Sequence, residues 1–258
     1  MRRLLLTLRF DGTRYHGWQV QKNAVTVQQK LQDAIQTVTG VRAGVTGCSR
    51  TDAGVHAKMF CCAFDTCSPL RGESMISALN ANLPRDIAVY RCIEVPRDFH
   101  PRYSALSKRY RYYVWNSHSR NPFLEDYSLH LRWPLDHQLL DRAAADFVGE
   151  HDFASFCGSG SSVKDTVRRI DRFSVERDGE LVVFTVEGDG FLYNMVRIMV
   201  GTLLEINSKK RPADCIPAVI DAKDRARAGA TVPAKGLFLD EVFYPKEAYG
   251  DFNQYKGE

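Results

Sequence analysis

The stretch Gly47-Cys48-Ser49-Arg50-Thr51-Asp52-Ala53-Gly54-Val55-His56-Ala57 sets one carboxylate among an arginine, small polar residues and glycines, with a histidine four residues on. Residues 59–64 beyond it are apolar and strand-like. Asp52 is therefore expected on a tight loop at the edge of a buried sheet. Gly47 and Gly54 permit positive φ or the close approach of another backbone, and Arg50 is placed to keep the carboxylate ionised and oriented. An aspartate in such a position serves as a nucleophile, a general base or a metal ligand. Its plainer use is an Asx-type turn that joins a helix to a strand.

Arg197 is the second residue with a chemical question attached. It interrupts Asn194-Met195-Val196 and Ile198-Met199-Val200 on an otherwise apolar helix, where a charge is costly unless paired. The nearest acid that follows on that helix is Glu205, eight residues away. A partner from elsewhere in the chain is expected, and Asp52 is the attractive candidate; a structural pair with another carboxylate, or an arginine that snorkels to solvent, is the alternative.

Basic and aromatic residues interleave at Arg102-Tyr103, in Lys108-Arg109-Tyr110-Arg111-Tyr112, and basic residues recur at Lys164, Arg168, Arg169 and Arg172. Guanidinium groups match phosphates and aromatic faces match unstacked bases, so these segments suit a nucleic acid; charge alternation on a half-exposed strand is the plainer reading. Metal hydrolysis has little support, since His16, His56, His100 and His151 are scattered and no HxH, HExxH or DxD occurs. Thiol chemistry has little either: Cys61, Cys62 and Cys92 fall in expected strands, and no histidine is visibly paired with Cys48.

The elements that must position these residues follow from periodicity and punctuation. A strand is expected over 3–10, with the Asp11-Gly12-Thr13 turn after it. Thr26 and Gln29 have capping-box spacing, Val27, Leu31, Ala34, Ile35 and Val38 share a face, and Gly40 closes that helix. Strand-like residues 41–46 lead to the Asp52 loop, and further strands are expected over 57–65 and 87–95, with a helix near 73–80 between them. Residues 107–116 read as a strand with Lys108, Tyr110, Tyr112 and Val114 on one face and Arg109, Arg111, Tyr113 and Trp115 on the other. A helix over 136–148 capped by Asp136, a polar binding loop over 157–168, a hairpin turning at Asp178-Gly179, a helix over 193–206, a short helix from Pro212 to Ile220 and a last strand over 236–244 complete the series. The 157–168 loop is not a P-loop, because no Gly-Lys-Ser/Thr closes it. Asp11-Gly12-Thr13-Arg14-Tyr15 is echoed by Asp189-Gly190-Phe191-Leu192-Tyr193, which suits two similar α+β halves. The expected division is 1–105 and 106–245, with a polar tail over 246–258.

At 258 residues and a net charge of +4 the chain is ample for a large core and only mildly basic, so local clustering of positives decides more than the total. Seven cysteines without a CxxC pair exclude a zinc-ribbon spacing and speak against a disulfide framework. The apolar run after Met1-Arg2-Arg3 stops at Arg9, too short for a signal peptide, and no run approaches the ~20 residues of a membrane span. A reduced, cytoplasmic protein is expected.

Taken together, the segments resemble the tRNA pseudouridine synthase A family over nearly the whole chain. Tyr15-His16-Gly17-Trp18-Gln19, residues 50–57, Asn80-Ala81-Asn82-Leu83-Pro84, Phe99-His100, residues 108–112, Asn194-Met195-Val196-Arg197, Asp224-Arg225 and Pro233-Ala234-Lys235-Gly236-Leu237 stand in that family's order. Ser49 departs from it, since the family commonly has glycine before the arginine. The resemblance implies isomerisation of uridine at positions 38, 39 and 40 of the tRNA anticodon stem-loop, without metal, nucleotide or other cofactor. It implies Asp52 as the catalytic aspartate, Arg197 as its partner, Tyr110 stacked on the target base, and Arg50 in the space of the flipped nucleotide or on its phosphate. Lys108, Arg109, Arg111, Lys164 and Arg168 become candidate RNA contacts. The implied fold is α+β, two related ferredoxin-like halves forming one continuous, mostly antiparallel sheet with a basic cleft across its middle, in a homodimer. Two other classes stay open: a non-catalytic tRNA-binding or folding protein, and an Asp-nucleophile hydrolase of a small metabolite.

Overall fold

A computed structural model of the chain describes residues 1–246. In chain order the elements are β1 (Arg2–Phe10), α1 (Val27–Thr39), β2 (Thr46–Gly47), β3 (His56–Thr66), α2 (Gly72–Asn82), β4 (Ile87–Val95), β5 (Ser107–Asn116), β6 (Leu129–Leu131), α3 (His137–Ala144), β7 (Gly149–Asp152), β8 (Val167–Asp178), β9 (Leu181–Gly188), α4 (Met195–Asn207), α5 (Ile216–Ala222) and β10 (Leu237–Phe243). The class is α+β: β1 pairs antiparallel with β3 and β4, β2 with β3, β9 with β5 and β8, and β7 with β8, while β5 and β6 pair in parallel. The chain divides into two compact units, Met1–Ser107 with Leu239–Lys246, and Lys108–Phe238. This differs from the expected 106–245 half, because the chain from Leu239 is bonded within the first unit. Asp240 meets Lys58 at 3.6 Å, Leu106 N–H donates to the Phe243 carbonyl (2.8 Å), and the Tyr244 hydroxyl donates to the Pro101 carbonyl (2.8 Å). Of the expected tail, residues 247–258 lie outside the described part.

The first unit runs β1-α1-β2-β3-α2-β4, with β1 antiparallel to β3 on one side and β4 on the other, and β2 on β3. That is the split βαβ arrangement of ferredoxin-like domains. α1 begins where the Thr26 hydroxyl accepts the Gln29 N–H (3.3 Å) and ends at Gly40 with φ 75°. Val27, Leu31, Ala34 and Ile35 are buried on its inner face, and Val38 is half-buried. The expected strand over 41–46 contracts to Thr46–Gly47. Glutamines of α1 take the carbonyls that a ladder would have used: Gln32 donates to Ala43 O (3.2 Å) and Gln28 to Val45 O (2.8 Å).

The second unit repeats the order with β5-α3-β8-β9-α4, β9 lying between β5 and β8, while β7 and β6 are short additions. The Asp136 carboxylate caps α3 by accepting the Leu139 N–H (2.9 Å), but the helix stops at Ala144 and tightens to Phe147, since Gly149 (φ 121°) starts β7. The expected helix from Pro212 starts instead at Ile216, with Pro217 in its first turn. Most of α4 is buried, with Arg197, Leu204, Glu205 and Asn207 half-buried. A Cβ on Gly201 would stand 1.8 Å from the Ala230 carbonyl oxygen, so residues 229–232 cross the helix backbone to backbone. The Asp-Gly-x-x-Tyr echo is no mark of duplication: it follows the first strand of one unit and the third main strand (β9) of the other.

Thr26→Ala is expected to cost about 1 kcal/mol, the usual worth of such a cap. Urea unfolding should show a lower midpoint with an unchanged m-value, and Thr26→Ser should recover most of the loss.

Candidate active site

The Asp52 loop is the connection from β2 to β3. The ladder continues for one residue, with Cys48 N–H donating to the Cys61 carbonyl (2.8 Å), and the chain then leaves the sheet. Arg50 and Ala53 are exposed, Thr51 is buried and Asp52 is half-buried. The turn closes where Val55 N–H donates to the Asp52 carbonyl (3.2 Å), with Gly54 at φ 77°.

Residues 11–18 splint this loop along its backbone. Trp18 N–H donates to the Thr51 carbonyl (3.2 Å), and Gly54 N–H donates to the Tyr15 carbonyl (3.1 Å), so one bond lies on each side of Asp52. The approach leaves no room for side chains. A Cβ on Gly12 would stand 2.0 Å from Val55 O, and one on Gly17, whose φ is 80°, would stand 2.2 Å from Thr51 O. The splint is itself anchored. Tyr15 donates its hydroxyl to Asp86 (2.6 Å), and Arg14 pairs with the same carboxylate (2.5 Å). Burial, and then Asp86, push the Tyr15 hydroxyl pKa up, so it stays a neutral donor. Trp18 stacks on Phe60 of β3, with ring centroids 4.1 Å apart.

His56 is only 1% exposed, and its Nδ1 lies 3.1 Å from both Gly12 N and Asp11 Oδ1. As a neutral ring protonated on Nε2 it accepts from Gly12; protonated on Nδ1 it donates to Asp11. Either bond ties the start of β3 to the splint. His56 is thus a buried residue that packs at the end of the turn. Arg50 differs from expectation: among the described residues its guanidinium makes no hydrogen bond or ion pair, so it does not orient Asp52 in the free chain. The Thr51 hydroxyl beside it is buried without a hydrogen-bond partner among the described residues.

In the second unit, Arg197 is half-buried on α4, and two of its hydrogen bonds go to neutral acceptors. Its Nε donates to the Val232 carbonyl (2.7 Å) and its Nη1 to Asn194 Oδ1 (2.6 Å). Asn194 precedes the helix in the left-handed region, at φ 59°, where asparagine is among the tolerated residues. These two bonds orient the guanidinium. Tyr110 on β5 is buried, with the edge-on ring of Phe191 5.0 Å away. The loops that supply Val232 and Phe191 carried no signal in the sequence, because each acts through its backbone or a contact set by packing.

The basic candidates are dispersed in their circumstances. Arg109 lies opposite Glu187 on β9 and is paired with it at 2.9 Å, which neutralises it locally. Lys108 is buried, and Arg111 is half-buried opposite Thr185. Lys164 is exposed without an ion pair among the described residues, and Arg168 folds back on the Asp165 and Val167 carbonyls. Burial pushes the Cys61 and Cys62 thiols well up and Cys92 up to about 11, so none is a ready thiolate. Among the described residues no group of three or more His, Cys, Asp or Glu side chains could hold a metal, and no helix is long and apolar enough to cross a membrane.

Residues 7–104 and 143–245 match the family model of tRNA pseudouridine synthase. The chain belongs to the tRNA pseudouridine synthase family. It is 48% identical over 244 residues to tRNA pseudouridine synthase A of Acetivibrio thermocellus, covering 95% of this chain and 100% of that one. The same coverage holds for tRNA pseudouridine synthase A of Geotalea uraniireducens at 46% identity. A crystal structure of a Cbf5-Nop10-Gar1 complex aligns with 76% of this chain and 52% of that chain at a TM-score of 0.34 and 12% identity, a likeness too slight to bear on fold or site. Both the splint over 11–18 and the Asp52 loop fall within the matched residues.

Gly17→Ala adds a Cβ against Thr51 O, whereas Gly40→Ala has a similar φ and open space around it. Both should lose about 1–2 kcal/mol to left-handed strain. Only Gly17→Ala should also lower turnover on tRNA, by tenfold or more on the order of what misplaced catalytic groups cost. Equal turnover in the two variants would show that the splint does not position Asp52.

Proposed function

We propose that the chain isomerises uridine to pseudouridine at positions 38, 39 and 40 of the tRNA anticodon stem-loop, with Asp52 as the essential carboxylate. The observation that carries this reading is a half-buried aspartate on a loop braced on both sides, in a chain 48% identical along its length to a synthase A. The reaction breaks the N1–C1′ bond, turns the uracil and forms a C5–C1′ bond, with no net redox change or hydrolysis. A carboxylate serves it by attacking C1′, by attacking C6 of the ring, or by removing the C2′ proton.

In this reading Arg197 supplies the counter-charge for Asp52, and its bonds to Val232 and Asn194 orient the guanidinium for that role. Tyr110 gives its ring to the target base. Arg50, exposed and unpaired among the described residues, takes the space or the phosphate of the flipped nucleotide and offsets part of the unstacking cost. Lys164 and Arg168 contact the RNA backbone; Lys108, Arg109 and Arg111 share that task at the same strand as Tyr110. The enzyme works as a homodimer in the cytoplasm.

The test is unmodified tRNA incubated with purified protein and sequenced for pseudouridine. Asp52→Asn should abolish product while tRNA affinity stays within about threefold, because charge and not shape is removed. Retained turnover would sink the assignment, and tight tRNA binding by the native chain without any pseudouridine would favour a binding or folding role. Arg197→Met should lower turnover about a hundredfold, the scale of a lost electrostatic stabiliser, and cost no more than about 3 kcal/mol of stability. Normal turnover with a large stability loss would make Arg197 structural.

A further inference from the structure

The connection between β4 and β5 carries a feature that the catalytic assignment leaves unused. Tyr103 is 76% exposed, and the imidazole of His100 is stacked on its ring, with centroids 4.3 Å apart at 30°. The Arg102 guanidinium lies 5.7 Å from the same ring centroid. Arg102 is exposed and has no ion pair among the described residues. A single exposed aromatic needs no explanation. Phe123, for instance, is 88% exposed, and neither ring nor cation backs it among the described residues.

What sets Tyr103 apart is that its underside is built. His100 Nδ1 accepts the N–H groups of Arg102 (3.2 Å) and Tyr103 (3.3 Å), which fixes the imidazole beneath the phenol ring. His100 N–H donates to Ser104 Oγ (3.2 Å), and Ser104 N–H donates back to the His100 carbonyl (2.9 Å). The turn is then tied to the sheet. Arg3 donates to the Phe99 carbonyl (3.0 Å) while forming a two-bond pair with Asp65, and Tyr244 holds the Pro101 carbonyl. A large ring held rigid, open on one face and flanked by an uncompensated cation is the arrangement that stacks an unpaired base and neutralises the phosphate beside it.

We propose that Tyr103, backed by His100, is a stacking platform for one unpaired base of the RNA substrate, with Arg102 on the adjoining phosphate. The proposal rests on the reading of the chain as a tRNA-modifying synthase and adds a subsite to it. Stacking asks for a ring and not for its hydroxyl, and this gives the proposal its test. Affinity for unmodified tRNA at one fixed salt concentration should fall about tenfold in Tyr103→Ala and stay within about twofold of native in Tyr103→Phe. Arg102→Met should weaken binding and lower the slope of log affinity against log salt by about one. Native protein should quench a 2-aminopurine placed at one unpaired position of the tRNA, and Tyr103→Leu should not.

Native affinity and quenching in folded Tyr103→Ala and Tyr103→Leu would overturn the platform, as would a Tyr103→Phe as weak as Tyr103→Ala, which would signal a hydrogen bond. If the native chain forms pseudouridine while those variants bind normally, the platform alone falls. If the native chain neither binds nor converts tRNA, the synthase reading falls and the platform with it.

Discussion

The architecture of the first unit depends on one close approach, the passage of residues 11–18 along the Asp52 loop at backbone distance. Two glycines permit it, Gly12 against Val55 and Gly17 against Thr51, and the bonds from Trp18 to Thr51 and from Gly54 to Tyr15 hold it. A loop outside the sheet would otherwise have only its own turn to define it, and the positioning that catalysis needs is finer than an isolated turn supplies. The splint passes that requirement to rigid elements. Its far end enters α1 through bonds from Val27 to Gly17 and from Gln28 to Trp18, its side chains seat on Asp86, and His56 ties it to β3.

The two units share an element order but use the equivalent connection differently. Between the second and third strands of the plan, the second unit has a two-residue turn, Gly179-Glu180, between the paired residues Asp178 and Leu181. The first unit replaces that turn with the loop from Cys48 to Val55 and its proposed catalytic aspartate. One copy of the plan is thus closed tightly and the other opened for chemistry, which is how a common scaffold hosts a particular site.

Arg197 shows a second economy. A half-buried guanidinium on an apolar helix incurs an effective desolvation cost of several kcal/mol. Hydrogen bonds from a charged donor return about 1.5–3 kcal/mol each, and two of those from Arg197 go to a backbone carbonyl and an amide oxygen. These bonds fix the orientation of the guanidinium on the helix. Arg109, a candidate RNA contact in the sequence, is paired with Glu187 directly across the strand pair.

Local rules were enough for most of the elements and for the chemical character of the site. Thr26, Gly40, Asp136 and the Asp178-Gly179 corner announced their caps and turns because capping and turn geometry are set within a few residues. The Asp52 loop and the anomalous charge of Arg197 were legible for a similar reason: residue type and immediate neighbours define them. Tertiary structure alone decided which groups those residues meet. The strand expected at 41–46 contracts beside two glutamines of α1, Arg109 pairs with a glutamate on β9, and the closing strand joins the first unit from Leu239. The splint, the Val232 carbonyl and the ring of Phe191 all reach their partners across 33 to 81 residues of chain or through backbone atoms, which every residue possesses and no side-chain pattern reveals.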